Sequence, residues 1–260
     1  MDYWKNRDKN KKHAEIWHDF IIKNNSADTK DSVEKSIVYE PIFKNVENKT
    51  TFIVDQAVTV QAIFATKQEG KIGVLNFASY KNPGGKYIDG SLAQEESLCH
   101  FSNLYEILSS DRLKKEFYEY NNAHLNSGKY DSRLIYSPDV VFYDKDRVTT
   151  KKCDVVTCAA PNKNAIQKNT KLEDVEIEDL MKDRILHILN AFANNKAEIL
   201  ILGAFGCGVF GNDVWSTAEI FKECLTEYHY YKNVFKTVIF AIPDDDTYNK
   251  FRLTFDNMEK

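Results

Sequence analysis

A chain of 260 residues with 43% hydrophobic and 28% charged side chains, 5 Pro and 10 Gly has the material for a sizeable core, which excludes disordered, collagen-like and low-complexity classes. Its 35 Lys+Arg against 39 Asp+Glu leave a net charge of -4, so no overall positive field favours duplex nucleic acid. The five cysteines, Cys99, Cys153, Cys158, Cys207 and Cys224, are odd in number and form no CxxC pair, and they read as reduced thiols.

The start, Met1 to Lys12, is charged and lacks the apolar core of a signal peptide, and no run of about 18 apolar residues occurs anywhere. The expectation is a monomeric protein of the cytosol or nucleus, away from membranes. Residues 1–50 read as an N-terminal helical extension packed on the core, and residues 51–260 as the main domain. In the extension, Ala14, Ile16, Trp17, Phe20 and Ile21 can share one helical stripe, while Lys9, Lys11 and Lys12 make a solvated face.

From Thr51 the pattern changes to short apolar runs separated by helical segments. Strands are predicted at Thr51–Val54, Lys71–Phe77, Leu134–Ser137, Asp154–Ala159, Ala197–Leu202 and Val234–Ile242. Val155, Val156, Ile199, Leu200, Ile201, Val238, Ile239 and Phe240 form unbroken apolar runs, which predicts strands covered on both faces. The fold class is therefore α/β, a three-layer α/β/α sandwich. Glu176–Lys196 carries a helical apolar stripe that reads as core, Ser216–Glu227 reads as helix, and the polar stretch Asn162–Asp174 reads as a long loop.

Two glycine-bearing segments follow predicted strands. The first runs Asn76-Phe77-Ala78-Ser79-Tyr80-Lys81-Asn82-Pro83-Gly84-Gly85-Lys86 and leads to Gln94-Glu95-Glu96. Pro83-Gly84-Gly85 serves equally as an ordinary turn, but adjacent glycines also let backbone amides approach a ligand. Ser91 and Gln94 have capping-box spacing, which predicts a helix from Ser91 with Leu98, Phe101, Tyr105 and Leu108 on its buried face. Acidic residues in a first turn ordinarily complement the helix dipole. If both glutamates instead face a closed cleft, repulsion and desolvation raise one pKa until that carboxyl holds a proton near neutral pH, and a protonated carboxyl there is a general acid.

The second segment runs from Leu202 through Gly203-Ala204-Phe205-Gly206-Cys207-Gly208-Val209-Phe210-Gly211-Asn212-Asp213. Gly206, Gly208 and Gly211 spell GxGxxG, a dinucleotide fingerprint when it stands alone. The acids Asp244-Asp245-Asp246 lie more than thirty residues beyond Gly211, where about twenty is usual, and one strand follows where a dinucleotide domain needs several. What survives is a glycine loop at a helix start, which suits a phosphate. Two such loops converge on one diphosphate if their strands are neighbours. No HExxH, CxxC or cation-cage spacing is present, so neither a metal nor a cofactor is expected.

At these residues the chain resembles the microbial-type poly(ADP-ribose) glycohydrolases of the macrodomain superfamily. The signature is a glycine triplet, six to eight residues, then Gln-Glu-Glu; here Gly84-Gly85-Lys86 is followed after seven residues by Gln94-Glu95-Glu96. Ile135–Val140, Val155–Asn162 and Leu202–Asp213 add matching motifs, and the resemblance runs from about residue 40 to the end. It implies a macrodomain-like catalytic domain with a mixed sheet, acting as a glycosidase on ribose–ribose O-glycosidic bonds to release ADP-ribose. Glu96 would protonate the leaving ribose oxygen, Glu95 would position the ribose, and Gln94 would support the pair. Gly84 and Gly85 would wrap the distal ribose and diphosphate. Gly206, Cys207, Gly208, Val209, Phe210 and Gly211 would form the opposing phosphate loop, with Asn76 and Ala78 as the floor. Lys86 stands where the family has a third glycine, and Ser79 stands where it usually has asparagine. The implied partners are ADP-ribose, poly(ADP-ribose) and ADP-ribosylated macromolecules. The alternatives are an ADP-ribose-binding module without turnover, a mono-ADP-ribosyl hydrolase and, more remotely, an NAD-linked Rossmann oxidoreductase.

Overall fold

The computed structural model describes residues 7–39, 49–228 and 230–256. Residues 1–6 of the charged start, and residues 40–48 near the end of the predicted extension, lie outside the described residues. The chain opens with a long helix, α1 (Arg7–Lys35), which is kinked where Asn25 leaves helical geometry. Strands β1 (Ile37–Tyr39) and β2 (Thr51–Asp55) are followed by α2 (Thr59–Ala65) and β3 (Ile72–Phe77). Four short helices come next, α3 (Gln94–His100), α4 (Leu104–Leu108), α5 (Asp111–Leu113) and α6 (Tyr120–Ala123), the last two joined by a π-helical turn, Lys114–Glu119. The long strands β4 (Leu134–Tyr143) and β5 (Thr150–Cys158) precede α7 (Lys163–Asn169), α8 (Asp174–Asn194) and β6 (Ile199–Leu202). The chain then forms α9 (Val214–Thr226), β7 (Thr237–Ala241) and α10 (Asp245–Phe255).

The seven strands form one mixed sheet in the order β1-β4-β5-β3-β6-β7-β2, in which β1, β4 and β5 pair antiparallel and β5, β3, β6, β7 and β2 run parallel. Both faces of the parallel strands are covered. Val156, Leu200, Leu202, Val238 and Phe240 join the core under α8, α9 and α10, while Val155, Ile199, Ile201 and Ile239 join the core under α1 to α5. Alternate side chains of each strand thus enter opposite layers, as the continuous apolar runs predict.

Several boundaries differ from the sequence reading, each for a local physical reason. Strand β4 does not stop at Ser137: the register shifts between Ser137 and Val140, and the Asp154 carboxylate accepts from the Asp139 amide at 3.0 Å, so Pro138 sits in a bulge and pairing resumes. The three-residue strand β1 was not anticipated. Asn162–Asp174 is not all loop, because the Asn162 side chain accepts from the Ala165 amide at 3.0 Å and caps α7, a helix whose polar face disguised it. The helix expected from Ser91 starts at Gln94, because the Ser91 amide is tied to the Lys86 carbonyl at 3.1 Å within a compact turn. It also breaks after His100, leaving Phe101 between α3 and α4. Within α1, Ala14, Trp17 and Ile21 are buried, whereas Ile16 is exposed because it lies off their three-to-four-residue repeat. No helix among the described residues is long and apolar enough to cross a membrane.

Candidate active site

Strands β3 and β6 are parallel neighbours, paired at Ile72–Ile199, Gly73–Leu200 and Val74–Ile201, so the two glycine segments leave the sheet side by side at the same edge. Between them lies a cleft of about 560 Å³ lined from one side by Ala78, Ser79, Gly85 and Gln94-Glu95-Glu96 and from the other by Gly206, Gly208, Val209 and Phe210. An adjoining cavity of about 510 Å³ shares Phe77, Gln94, Ala204 and Gly208 with it and continues over Val58, Cys207, Ile242 and Pro243. The site therefore extends along the ends of several parallel strands, where open α/β sheets bind ligands.

Gln94 begins α3 and fastens it to the sheet: its Oε1 accepts from the Phe77 amide at 2.9 Å and its Nε2 donates to the Leu75 carbonyl at 2.8 Å. This brings Glu95 and Glu96, both buried, against the first glycine turn. Glu95 accepts from the Ser79 amide at 2.7 Å and from Asn76 Nδ2 at 3.3 Å. Glu96 Oε1 accepts from the Lys86 amide at 2.9 Å, while its buried Oε2 has no hydrogen-bond partner among the described residues. A Cβ on Gly85 would run into Glu96 Oε1 and lie 3.1 Å from Glu95 Oε2, so both carboxylates close on this one glycine.

Burial pushes the Glu95 carboxyl up to about 8, with the neighbouring Glu96 charge adding to the rise against the pull of the Ser79, Asn76 and Gly84 donors. Near neutral pH the Glu95 carboxyl therefore keeps its proton. Between the unperturbed 4.5 and about 8, the folded protein holds a proton that the unfolded chain has released, so this carboxyl's contribution to stability is complete below 4.5 and lost as pH rises through 8. Glu95→Gln removes that dependence. Its stability relative to the wild type is expected to rise by a few kcal/mol in all between those two pH values, as read by denaturant unfolding at a series of pH values; a pH-independent difference would contradict the assignment.

Gly84 and Gly85 both have φ of +63°, whereas Lys86 has no positive φ and carries an exposed side chain at the cleft rim. Only two of the three positions of the turn require left-handed backbone, which is why a lysine fits without strain at the third. Ser79 donates its amide to Glu95, and its hydroxyl accepts from the amides of Lys81 and Asn82, both at 3.1 Å, stabilising the turn. Across the cleft, Asn212 Nδ2 donates to the carbonyls of Pro161 at 2.8 Å and Gly206 at 2.9 Å and fixes the shape of the second loop. The amides of Gly208, Val209 and Phe210 meet no acceptor among the described residues, an array suited to an anion.

Not every residue singled out in the sequence faces the cleft. Asn76 is fully buried behind it, bridging Glu95 and Thr157; a Cβ on Gly84 would meet the Tyr105 ring and Cys99 Sγ; one on Gly211 would meet Asn164; and Cys207 lines the adjoining cavity. Conversely, Tyr80, Ala160, Ala204 and Phe205 line the cleft without having been singled out. Tyr80 stacks on Tyr130 with ring centroids 4.0 Å apart, and Tyr130 lies 6.1 Å from Phe210, so an aromatic wall joins the two loops. Its sequence signal is faint, because fifty residues separate Tyr80 from Tyr130.

Residues 19–145 match the family profile described as microbial-type PARG, catalytic domain. Over that segment the chain is similar to the microbial-type PARG catalytic domain. The match takes in more than half of α1, from Asp19 onward, so the resemblance begins well before residue 40, where the sequence motifs alone placed it. The poly(ADP-ribose) glycohydrolase of Thermomonospora curvata superposes with a TM-score of 0.85 at 27% identity, covering 96% of this chain and 100% of that one. The same enzyme bound to the inhibitor ADP-HPD gives 0.82 at 27% identity, again covering 96% of this chain and 100% of that one. The Deinococcus radiodurans enzyme, in complex with ADP-ribose, gives 0.80 at 28% identity over 89% of this chain and 98% of that one. No curated protein sequence matches the chain. The PARG macrodomain-like sandwich has antiparallel β4 and β1 at one edge of its sheet, and Asp244 caps α10 by accepting from the Thr247 amide at 2.9 Å; neither feature fits a Rossmann dinucleotide domain.

Proposed function

We propose that this chain is a glycosidase that releases ADP-ribose by hydrolysing the ribose–ribose O-glycosidic bond of poly(ADP-ribose). The observation that carries this reading is the convergence of the Gln94-Glu95-Glu96 carboxylates and two glycine loops on one cleft. The amides of Gly208, Val209 and Phe210 hold the diphosphate, and the adjoining cavity takes the adenosine end of an extended ligand. The Thermomonospora and Deinococcus structures, one with ADP-HPD and one with ADP-ribose, support a ligand of this class.

In the proposed reaction Glu96 Oε2, the carboxyl oxygen without a partner, delivers a proton to the leaving ribose oxygen as the glycosidic bond breaks. The anomeric carbon passes through an oxocarbenium-like state and is captured by water, whose released proton is taken up by the Glu96 carboxylate, restoring the acid. Glu95, held by Ser79 and Asn76, accepts from a ribose hydroxyl and orients the sugar, and the proton that burial keeps on it prevents the pair from carrying two charges in the closed cleft. The diphosphate lies where its negative charge favours the cationic transition state. The test is incubation with poly(ADP-ribose) and with a mono-ADP-ribosylated protein side by side. Release of ADP-ribose chiefly from the polymer is expected; release only from the mono-modified protein, or ADP-ribose binding without turnover of either, would replace the reading with a mono-ADP-ribosyl hydrolase or a binding module respectively.

A further inference from the structure

Arg184, near the middle of α8, is 2% exposed and is the one lysine or arginine among the described residues that is buried. No ion pair among the described residues includes it. Its Nη1 donates to the Ala159 carbonyl, its Nη2 donates to the Lys129 carbonyl at 3.0 Å, and its buried Nε has no partner. The Cys158 thiol beside it is pushed up to about 11 by burial and carries no charge near neutral pH to balance the guanidinium. Burying a cation without a counter-charge costs several kcal/mol, and two carbonyl dipoles offset only part of that.

Both carbonyls belong to residues just behind the cleft. Ala159 precedes Ala160, which lines the cleft floor and lies so close under the second loop that a Cβ on Gly206 would come within 2.6 Å of it. Lys129 precedes Tyr130, the ring that braces Tyr80 and leans toward Phe210. Arg184 therefore grips floor and aromatic wall from behind, outside the cleft lining. The cleft itself is lined by a single cationic side chain, the exposed Lys86, together with the two glutamates. An anionic ligand there must be met by backbone amides and by positive charge placed behind the lining.

We infer that Arg184 is a positioning residue for anionic ligands: it holds the Ala159–Ala160 floor and the Tyr130 wall in place, and its unbalanced charge is compensated when a diphosphate occupies the cleft. This inference rests on the cleft being the ADP-ribose site. Its experiment uses three probes with the full chain, namely ADP-ribose, inorganic diphosphate and adenosine, titrated calorimetrically into wild type, Arg184→Gln and Arg184→Lys. Glutamine retains a hydrogen-bond donor without charge, and lysine retains the charge without the fork. Arg184→Gln is expected to weaken ADP-ribose and diphosphate by about tenfold while adenosine changes by less than about twofold, and Arg184→Lys is expected to stay within about threefold of wild type for all three. Equal weakening of adenosine and ADP-ribose would reduce Arg184 to a structural clamp, and unchanged diphosphate binding in Arg184→Gln would overturn the inference. Should Arg184→Gln fail to fold, a folded Arg184→Lys that loses diphosphate tenfold overturns it, and one that retains diphosphate supports it. Failure of wild type to bind ADP-ribose while it still binds diphosphate would instead overturn the proposed function, leaving the anion site standing.

Discussion

Glu96→Gln is expected to lower the rate of ADP-ribose release from poly(ADP-ribose) by at least about a hundredfold and to leave the affinity for free ADP-ribose within about threefold. The lower bound follows from the usual contribution of a positioned general acid. Glutamine matches the shape of the carboxyl, and its amide oxygen can still accept from the Lys86 amide, which Glu96 Oε1 does at 2.9 Å, so the first glycine turn keeps its anchor. The other end of the side chain becomes an NH2 group, which donates a hydrogen bond to the leaving oxygen but cannot surrender a proton. The loss therefore falls on kcat and spares binding, the pattern of an interaction made in the transition state. Single-turnover release measured beside ADP-ribose titration separates the two. Turnover within about tenfold of wild type would remove Glu96 from the acid role.

Gly85→Ala is expected to be the most damaging single methyl addition in the cleft. The residue has φ of +63°, where an alanine costs about 1 kcal/mol or more, and the new Cβ would strike Glu96 Oε1 and crowd Glu95 Oε2. Neither carboxylate can retreat easily, since Glu95 is tied to Ser79 and Asn76 and both glutamates ride on a helix fastened to β3 through Gln94. We expect unfolding free energy to fall by about 2 kcal/mol or more and turnover to fall by at least about a hundredfold. Gly208→Ala is the stability comparison, because a Cβ there meets nothing within 4 Å and its φ is not in the left-handed region. Denaturant unfolding of the two variants checks the argument: equal loss in both would mean that neither the left-handed backbone at Gly85 nor its packing on the carboxylates sets the cost.

The helices and the parallel strands could be read from residue order because their signals are local. The unbroken apolar runs at Val155–Val156, Ile199–Ile201 and Val238–Phe240 demanded two covered faces, and they have them. Reading failed where a long-range contact overrode a local preference. Ser91 has the spacing of a cap but is held in a turn by Lys86, and β4 runs on past Pro138 because Asp154 on the neighbouring strand secures the bulge. The exposed α7 carries too few apolar residues to announce itself, with Ile166 its single buried side chain.

For the site, the glycines and the Gln94-Glu95-Glu96 run were visible as residue types at a spacing. That Asn76 and Gly84 would stand behind the cleft, and that Tyr80 and Tyr130 would form its wall, was not. Nor could the sequence say which glutamate is the more deeply desolvated, since neighbours in sequence have the same local context and burial distinguishes them only after α3 docks.

What the residue order determined by itself was the inventory: amphipathic helices, strands apolar throughout, two flexible glycine segments and a pair of adjacent acids, each a consequence of side-chain chemistry within a few positions. What only the tertiary structure decided was adjacency. Strand β3 lies between β5 and β6, although most of the chain between β3 and β6 passes elsewhere, and no residue of β3 names its partner. Backbone hydrogen bonding is the same for any pair of strands, so the choice of neighbour rests on how whole layers of helices pack over the sheet. That collective outcome sets an unpaired guanidinium behind the floor and two glutamates at the mouth of a single cleft.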